Sequence, residues 1–293
     1  MKRIVVVIAL LCAVPALAQD LYINTVLADR PSAYWPLNDP PNSMSVHEVA
    51  SHTPTYNVWV AFGGLGSPGI PAGGTSWHYN GPMEWNFAQA GYWEAEHCDA
   101  IDLVPPYTIE AWFKSDIGLH LREQVLVQKM AAYGPLNWSH PYAGGGYNLS
   151  TRYYHGGFQS NVAKSGVYDG HVLYTNAKPA VGEWTHVLAT VASGTMTVYV
   201  NGALDASMPV PDGYPATSGS PLRLGGASVP LYWCINGTES YCGNPPFHGS
   251  LAHVAFYKRA LGEHDAVRHY DAGRAQAVPV GATTWGRIKT MYR

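Results

Sequence analysis

Residues 183–202 read Glu-Trp-Thr-His-Val-Leu-Ala-Thr-Val-Ala-Ser-Gly-Thr-Met-Thr-Val-Tyr-Val-Asn-Gly. Val187, Ala189 and Val191 fall on one side of an alternation, with Leu188 and Thr190 on the other. Met196, Val198 and Val200 repeat it, opposed by Thr195, Thr197 and Tyr199. Successive side chains leave a strand on opposite faces, so a period of two over both arms indicates half-buried antiparallel strands. Ala192-Ser193-Gly194 supplies the turn between them, and Asn201-Gly202 turns the chain again into Ala203-Leu204-Asp205. Asn-Gly accepts the left-handed conformation that tight hairpins need.

Other short runs carry the same signature. Strands are expected at 33–37, 58–61, 76–79, 92–95, 108–114, 124–129, 147–150, 222–225 and 251–257. Ile109, Ala111 and Phe113 share one face, and Pro36 marks an edge or a bulge. Residues 38–55, 63–74 and 131–146 read as loops, and 21–30 as a short helical or extended entry. One good helix is expected from Glu263 to Asp271, with Ala266, Val267 and Tyr270 on one face and Gly273 as its stop. Many short strands between Gly- and Pro-rich turns make an all-β sandwich or barrel.

Met1-Lys2-Arg3, an apolar run from Ile4 to Ala13, and Ala16-Leu17-Ala18 have the form of a secretory signal peptide over 1–18. That run is too short for a comfortable membrane span, and no later one approaches ~20 apolar residues. The exported chain is therefore expected to begin at Gln19 and to be secreted, periplasmic or surface-bound. Formal charge is −3, which gives neither nucleic acid nor an anionic membrane a basic field. Cys12 leaves with the leader, and Cys234 and Cys242 are expected to close a disulfide around Asn236-Gly237. Cys98 is left as a buried free thiol. Residues 274–293, with Arg274, Arg287, Lys289 and Arg293, form a basic tail beyond a domain spanning 19–273.

Several segments, in order, resemble the laminin-G-like, concanavalin A-like jelly rolls. Ala33-Tyr34-Trp35-Pro36-Leu37-Asn38 and Tyr107-Thr108-Ile109-Glu110-Ala111-Trp112-Phe113 are similar to the opening strands. Gly182-Glu183-Trp184-Thr185-His186-Val187, Val198-Tyr199-Val200-Asn201-Gly202 and Pro221-Leu222-Arg223-Leu224-Gly225-Gly226 resemble the central hairpin and its continuation. Phe247 to Leu261 and His269-Tyr270-Asp271-Ala272-Gly273 resemble the closing strand and helix. The resemblance implies two antiparallel sheets packed face to face, a jelly roll with one short C-terminal helix. It implies a module that binds glycans or extracellular partners, often with structural calcium. Where relatives place an acidic pair this chain has Ala252 and His253, and calcium needs carboxylates, so no metal or cofactor is expected.

Glycoside hydrolysis needs two converging carboxylates, for which Glu94, Glu96, Asp99 and Glu110 are the candidates. His47-Glu48-Val49-Ala50-Ser51-His52 spaces its histidines by five where the zinc-protease helix needs four, and reads as a polar loop. Strand parity separates His248 from His253, and helical spacing separates His264 from His269. There is no Gly-x-Ser-x-Gly elbow, and Gly144-Gly145-Gly146 lacks the Lys-Ser/Thr of a phosphate loop. Aromatic residues in loop segments remain: Trp138, Tyr142, Tyr153, Tyr154, Tyr232 and Trp233. Exposed rings stack on sugar faces and anchor partners. These six residues are the expected ligand contacts, in a non-catalytic binding module. A hydrolase or lyase using Glu94, Glu96 or Glu110, and an adhesion subunit docked by its basic tail, are the alternatives.

Overall fold

Two antiparallel sheets stack on a common apolar core, and helices cover the outer side of one of them. The structure, a computed structural model, describes residues 21–50, 56–60, 63–81, 91–118, 124–130, 145–151, 158–163, 170–211, 218–226 and 247–275. In chain order the strands are β1 (Ala33–Trp35), β2 (Ser45–Val46), β3 (Tyr56–Val60), β4 (Gly64–Ile70), β5 (Gly73–Tyr79), β6 (Gly91–Ala95), β7 (Tyr107–Ser115) and β8 (Val125–Met130). They continue with β9 (Gly146–Thr151), β10 (Phe158–Ala163), β11 (Gly170–Tyr174), β12 (Thr185–Ala192), β13 (Thr195–Val200), β14 (Ala203–Pro209), β15 (Leu222–Leu224) and β16 (Gly249–Tyr257). Helix α1 covers residues 21–28 and α2 runs Glu263–Arg274.

Sheet 1 has the order β14-β13-β12-β7-β16-β5-β4, with β1 also on β16. Sheet 2 has the order β11-β10-β9-β8-β15-β6-β3-β2. This is the all-β two-sheet sandwich expected from the sequence. The hairpin β12–β13 pairs Val187 with Val200 and Val191 with Met196, and these residues face the core. Both turns use the left-handed region: Ser193 and Gly194 at φ 49° and 71°, Asn201 and Gly202 at 50° and 80°. Ser193 has no side-chain reason to be there, whereas Asn is a routine occupant. Ser193→Asn should stabilise the domain by about 0.5–1 kcal/mol and raise Tm by about 1–4 °C; a melting curve checks it.

Several local expectations need correction. Residues 64–70, read as loop because of their Gly and Pro content, form β4, the edge of sheet 1, where Pro68 leaves no interior ladder unpaired. α2 runs through Gly273 to Arg274. Gly273 serves close approach: a Cβ there would lie 2.3 Å from Cζ2 of Trp112. On α2 it is Ala266, His269 and Gly273 that are buried, while Val267 is 43% exposed. Sheet 1 is thus apolar on both faces. Trp35, Trp77, Ile109, Phe113, Leu251 and Phe256 belong to the inter-sheet core. Tyr34, Trp112, Leu188, Ala255 and Tyr257 pack outward against Tyr22 and Val26 of α1 and Ala266 of α2.

β16 changes neighbour midway. Its start pairs with β5, Leu251 opposite Trp77, and its end with β1, Val254 opposite Trp35. A bulge between Ala252 and Ala255 joins the halves, with His253 at φ 53°. The extra residue breaks strand parity. His253 therefore joins the outer layer, its ring 4.7 Å from that of Tyr22. The parity count that separates His248 from His253 fails at this point.

Candidate functional site

The alternation that turns one side of sheet 2 to the core places polar residues on the other, where Gln128 and Asn148 are also buried and Glu94 and Arg223 half-buried. Trp93 and Ala95, Leu222 and Leu224, Val127, and Tyr147 and Leu149 all face the core. Glu94, Arg223, Gln128 and Asn148 lie between them and face outward. The register aligns them in one row across four strands: Glu94 opposite Arg223, Arg223 opposite Gln128, Gln128 opposite Asn148. On the backbone, Asn161 of β10 lies opposite Asn148. Arg223 donates from Nε to Oε2 of Glu94 at 2.7 Å, and its guanidinium lies 4.2 Å from the ring centre of Tyr92. Asn148 donates from Nδ2 to Oγ of Ser150 at 3.2 Å, which orients its Oδ1 as an acceptor. Among the described residues that buried oxygen has no hydrogen-bond partner. Gln128, Asn148 and Ser150 are buried, so the accessible part of the row is the Glu94–Arg223 pair beside Tyr92.

Trp138, Tyr142, Tyr153, Tyr154, Tyr232 and Trp233, and the Cys234–Cys242 pair, lie outside the described residues. The strands that lead into their segments are neighbours in sheet 2. Residues 131–145 separate β8 from β9, 152–157 separate β9 from β10, and 225–246 follow β15. Thr151 and Gly225 both end at the Val125 side of β8, Ser150 opposite Val125 and the Gly225 amide donating to the Leu126 carbonyl. The segments bearing Tyr153, Tyr154, Tyr232 and Trp233 therefore depart from one end of sheet 2. The segment bearing Trp138 and Tyr142 departs from the other, where Met130 faces Gly146.

The acids considered for catalysis separate. Glu94 is engaged by Arg223 and Glu96 is exposed. Glu110 points to the outer side of sheet 1, fully buried beneath the helices. Its carboxylate accepts from Tyr22 Oη at 2.8 Å, Tyr257 Oη at 2.6 Å, His186 Nε2 at 2.8 Å and His269 Nδ1 at 2.9 Å. The other ring nitrogen of His269 meets Asp29 Oδ2 at 2.7 Å, and Asp29 also pairs with Arg259 and Arg268. Burial alone would raise the Glu110 carboxyl; the His269 charge and the His186 and His269 hydrogen bonds outweigh it and hold it well below the usual range. Burial works against the charge of His269 too, but Glu110 and Asp29 raise it above the ordinary histidine value. Burial lowers His253 to about 3, so its neutral ring shares a 2.7 Å hydrogen bond with Tyr34.

A smaller cluster sits at the rim. Asp116 Oδ2 lies 3.4 Å from His78 Nε2 and 3.8 Å from His248 Nδ1, and His78 Nδ1 is 3.0 Å from Ser250 Oγ. Ser250 is 1% exposed, which removes it as a nucleophile. Among the described residues no group of three His, Cys, Asp or Glu side chains could hold a metal ion. The positions where relatives carry calcium ligands do not fit one: Ala252 and His253 both pack in the outer layer. His47 pairs with Asp39, and Glu48 turns back to accept from the Tyr34 and Ala50 amides, so 47–50 form no metal-binding helix. His52 lies outside the described residues. On α2 the divergence expected of its histidines holds, with the His264 side chain 91% exposed and that of His269 fully buried. Cys98 is a half-buried free thiol.

Glu110, His186, His269 and Asp29 were not legible as a group. The available signal was β16, Gly-Ser-Leu-Ala-His-Val-Ala-Phe-Tyr, which is apolar at both parities and so implies cover on both faces.

Solved structures share this architecture. The binding domain of Paraclostridial Mosquitocidal Protein 1 superposes with a TM-score of 0.55 at 14% identity, over 84% of this chain and 53% of that one. The ligand binding domain of botulinum neurotoxin serotype D, solved with N-acetylneuraminic acid, gives 0.55 at 12% identity, over 84% and 52%. The chain thus spans about half the length of these solved chains. No curated protein matches it in sequence. A laminin-G-type family model matches residues 87–266, from before β6 into α2. Together with the two stacked sheets, that match identifies the chain as a member of the concanavalin A-like lectin/glucanases superfamily.

Proposed function

We propose that this chain is an exported, non-catalytic module that binds a glycan through the outer side of sheet 2 and the aromatic segments leaving its Val125 end. The observation that carries this reading is the half-buried Glu94–Arg223 pair at the open end of the polar row, with Arg223 stacked on Tyr92. A fixed carboxylate and guanidinium beside an aromatic ring supply the acceptor, donors and stacking face that a saccharide uses. The botulinum domain that shares the fold holds N-acetylneuraminic acid, which supports a sugar as the ligand class. The placement of the acids supports binding over hydrolysis: Glu94 is tied to Arg223 and Glu110 lies under the helices, so neither reaches a shared groove. A Cys234–Cys242 bridge would pre-order Tyr232 and Trp233 and reduce the ordering cost of binding.

A glycan array, run with metal added and with chelator, tests the reading. Binding to a defined saccharide is expected in both conditions. Trp233→Ala and Arg223→Ala should each weaken it by about tenfold or more with an unchanged melting curve, the loss typical of an anchoring side chain. Unchanged affinity in both variants would remove this face from the proposal.

A further inference from the structure

His269 presents a donor problem with one solution. Both of its ring nitrogens face carboxylates, Glu110 at 2.9 Å and Asp29 at 2.7 Å. A carboxylate only accepts, and a neutral imidazole has a single N–H. Both contacts are hydrogen bonds only when the ring is doubly protonated. The ring is fully buried and links three elements: α2 through its own backbone, β7 through Glu110 and the end of α1 through Asp29.

We propose that one proton on His269 clamps the helical layer to the sandwich, and that removing it loosens the C-terminal end of α1. The groups facing the clamp are Glu110 from β7, His186 from β12, Tyr257 and His253 from β16, Tyr34 from β1, Tyr22 and Asp29 from α1 and its end, Arg259, and Arg268 and Asp265 from α2. Once the ring is neutral, its remaining N–H can serve only one carboxylate. Glu110 is enclosed by the β7, β12 and β16 side chains, whereas the Asp29 side chain is 14% exposed and near solvent. The contact to Asp29 is therefore the one that gives way. Asp29 keeps Arg259 and Arg268, so the opening is local.

The direction with pH follows from linkage. His269 is raised, so its contribution is complete below the ordinary histidine range and is lost as pH rises through its folded value. Glu110 and Asp29 are lowered, so theirs is present above the ordinary carboxylate range and is lost only as pH falls through their depressed values. The clamp is closed at neutral pH and opens on the alkaline side. It lies on the far side of sheet 1 from the polar row, so it is separable from ligand binding.

Hydrogen exchange of the full chain from about pH 6 to about pH 10, corrected for intrinsic rates, tests the clamp. Residues 26–30, whose Asp29 and Arg30 amides donate to Val26 and Leu27, should lose about tenfold protection, the equivalent of one pKa unit of coupling, while the β12–β13 amides hold theirs. In His269→Gln, which cannot titrate there, the step should vanish. If that variant does not fold, imidazole nitrogen NMR of the unaltered chain decides the matter. A doubly protonated His269 at neutral pH is expected; a neutral ring there, or flat exchange of 26–30 across the range, overturns the proposal.

Discussion

Glu110→Ala should destabilise the domain by about 3–5 kcal/mol, the loss typical when one partner of a buried ion pair is removed. The substitution leaves the His269 charge without its buried counter-ion and three further donors, Tyr22 Oη, Tyr257 Oη and His186 Nε2, without their acceptor. It also opens a cavity where β7 meets both helices. Glu110→Gln keeps the volume and one acceptor, so it should fall between this variant and the unaltered chain. Glu94→Ala serves as the comparison, since its ion pair with Arg223 is partly exposed, 32% at Glu94 and 21% at Arg223, and should contribute less than about 1 kcal/mol. Urea unfolding of the three variants checks the series. A loss below about 1 kcal/mol for Glu110→Ala would mean that the network does not hold the helical layer.

Gly249→Ala should cost about 2–5 kcal/mol, combining backbone strain with overpacking. Gly249 opens β16 at φ 148°, and a Cβ there would sit 2.1 Å from the Lys114 carbonyl oxygen and 2.9 Å from Ser115 Cα. Those atoms belong to the end of β7, whose other side is held by β12 as far as Phe113 and by the Gly182 amide donating to the Ser115 carbonyl. The displacement would separate the two central strands of sheet 1. Gly64→Ala on edge strand β4 provides the contrast. Nothing lies within 4 Å of its Cβ position, so the change should stay within about 0.5 kcal/mol. Equal urea midpoints for the two alanine variants would contradict the packing described for β16 and β7.

The sandwich was legible because its signals are local. Ser193-Gly194 and Asn201-Gly202 announce their turns within two residues, and the alternation of β7, β12 and β13 states which face is buried. The same locality explains the failures. Glu110 meets His186 and His269 at separations of 76 and 159 residues, so no spacing rule connects them. An acid in mid-strand reads as solvent-facing until the helices above it are known. β4 was hidden because edge strands tolerate the Gly and Pro that otherwise mark loops. The bulge at His253 has no composition cue, yet it redirects a side chain. The polar row on sheet 2 was half visible: each of Glu94, Gln128, Asn148 and Arg223 sits at an outward parity in its own strand. Only the cross-strand register aligns them, and register is a property of pairs.

The assignment of this chain to binding rather than turnover can be decided in one vessel. The chain would be titrated with the saccharide it selects on the array, with bound ligand and new reducing ends followed together. Saturable occupancy with intact sugar is the predicted result. Release of shorter saccharides in proportion to enzyme and time would contradict it, and would place a working acid pair on a surface where Glu94 and Arg223 are now seen to neutralise each other.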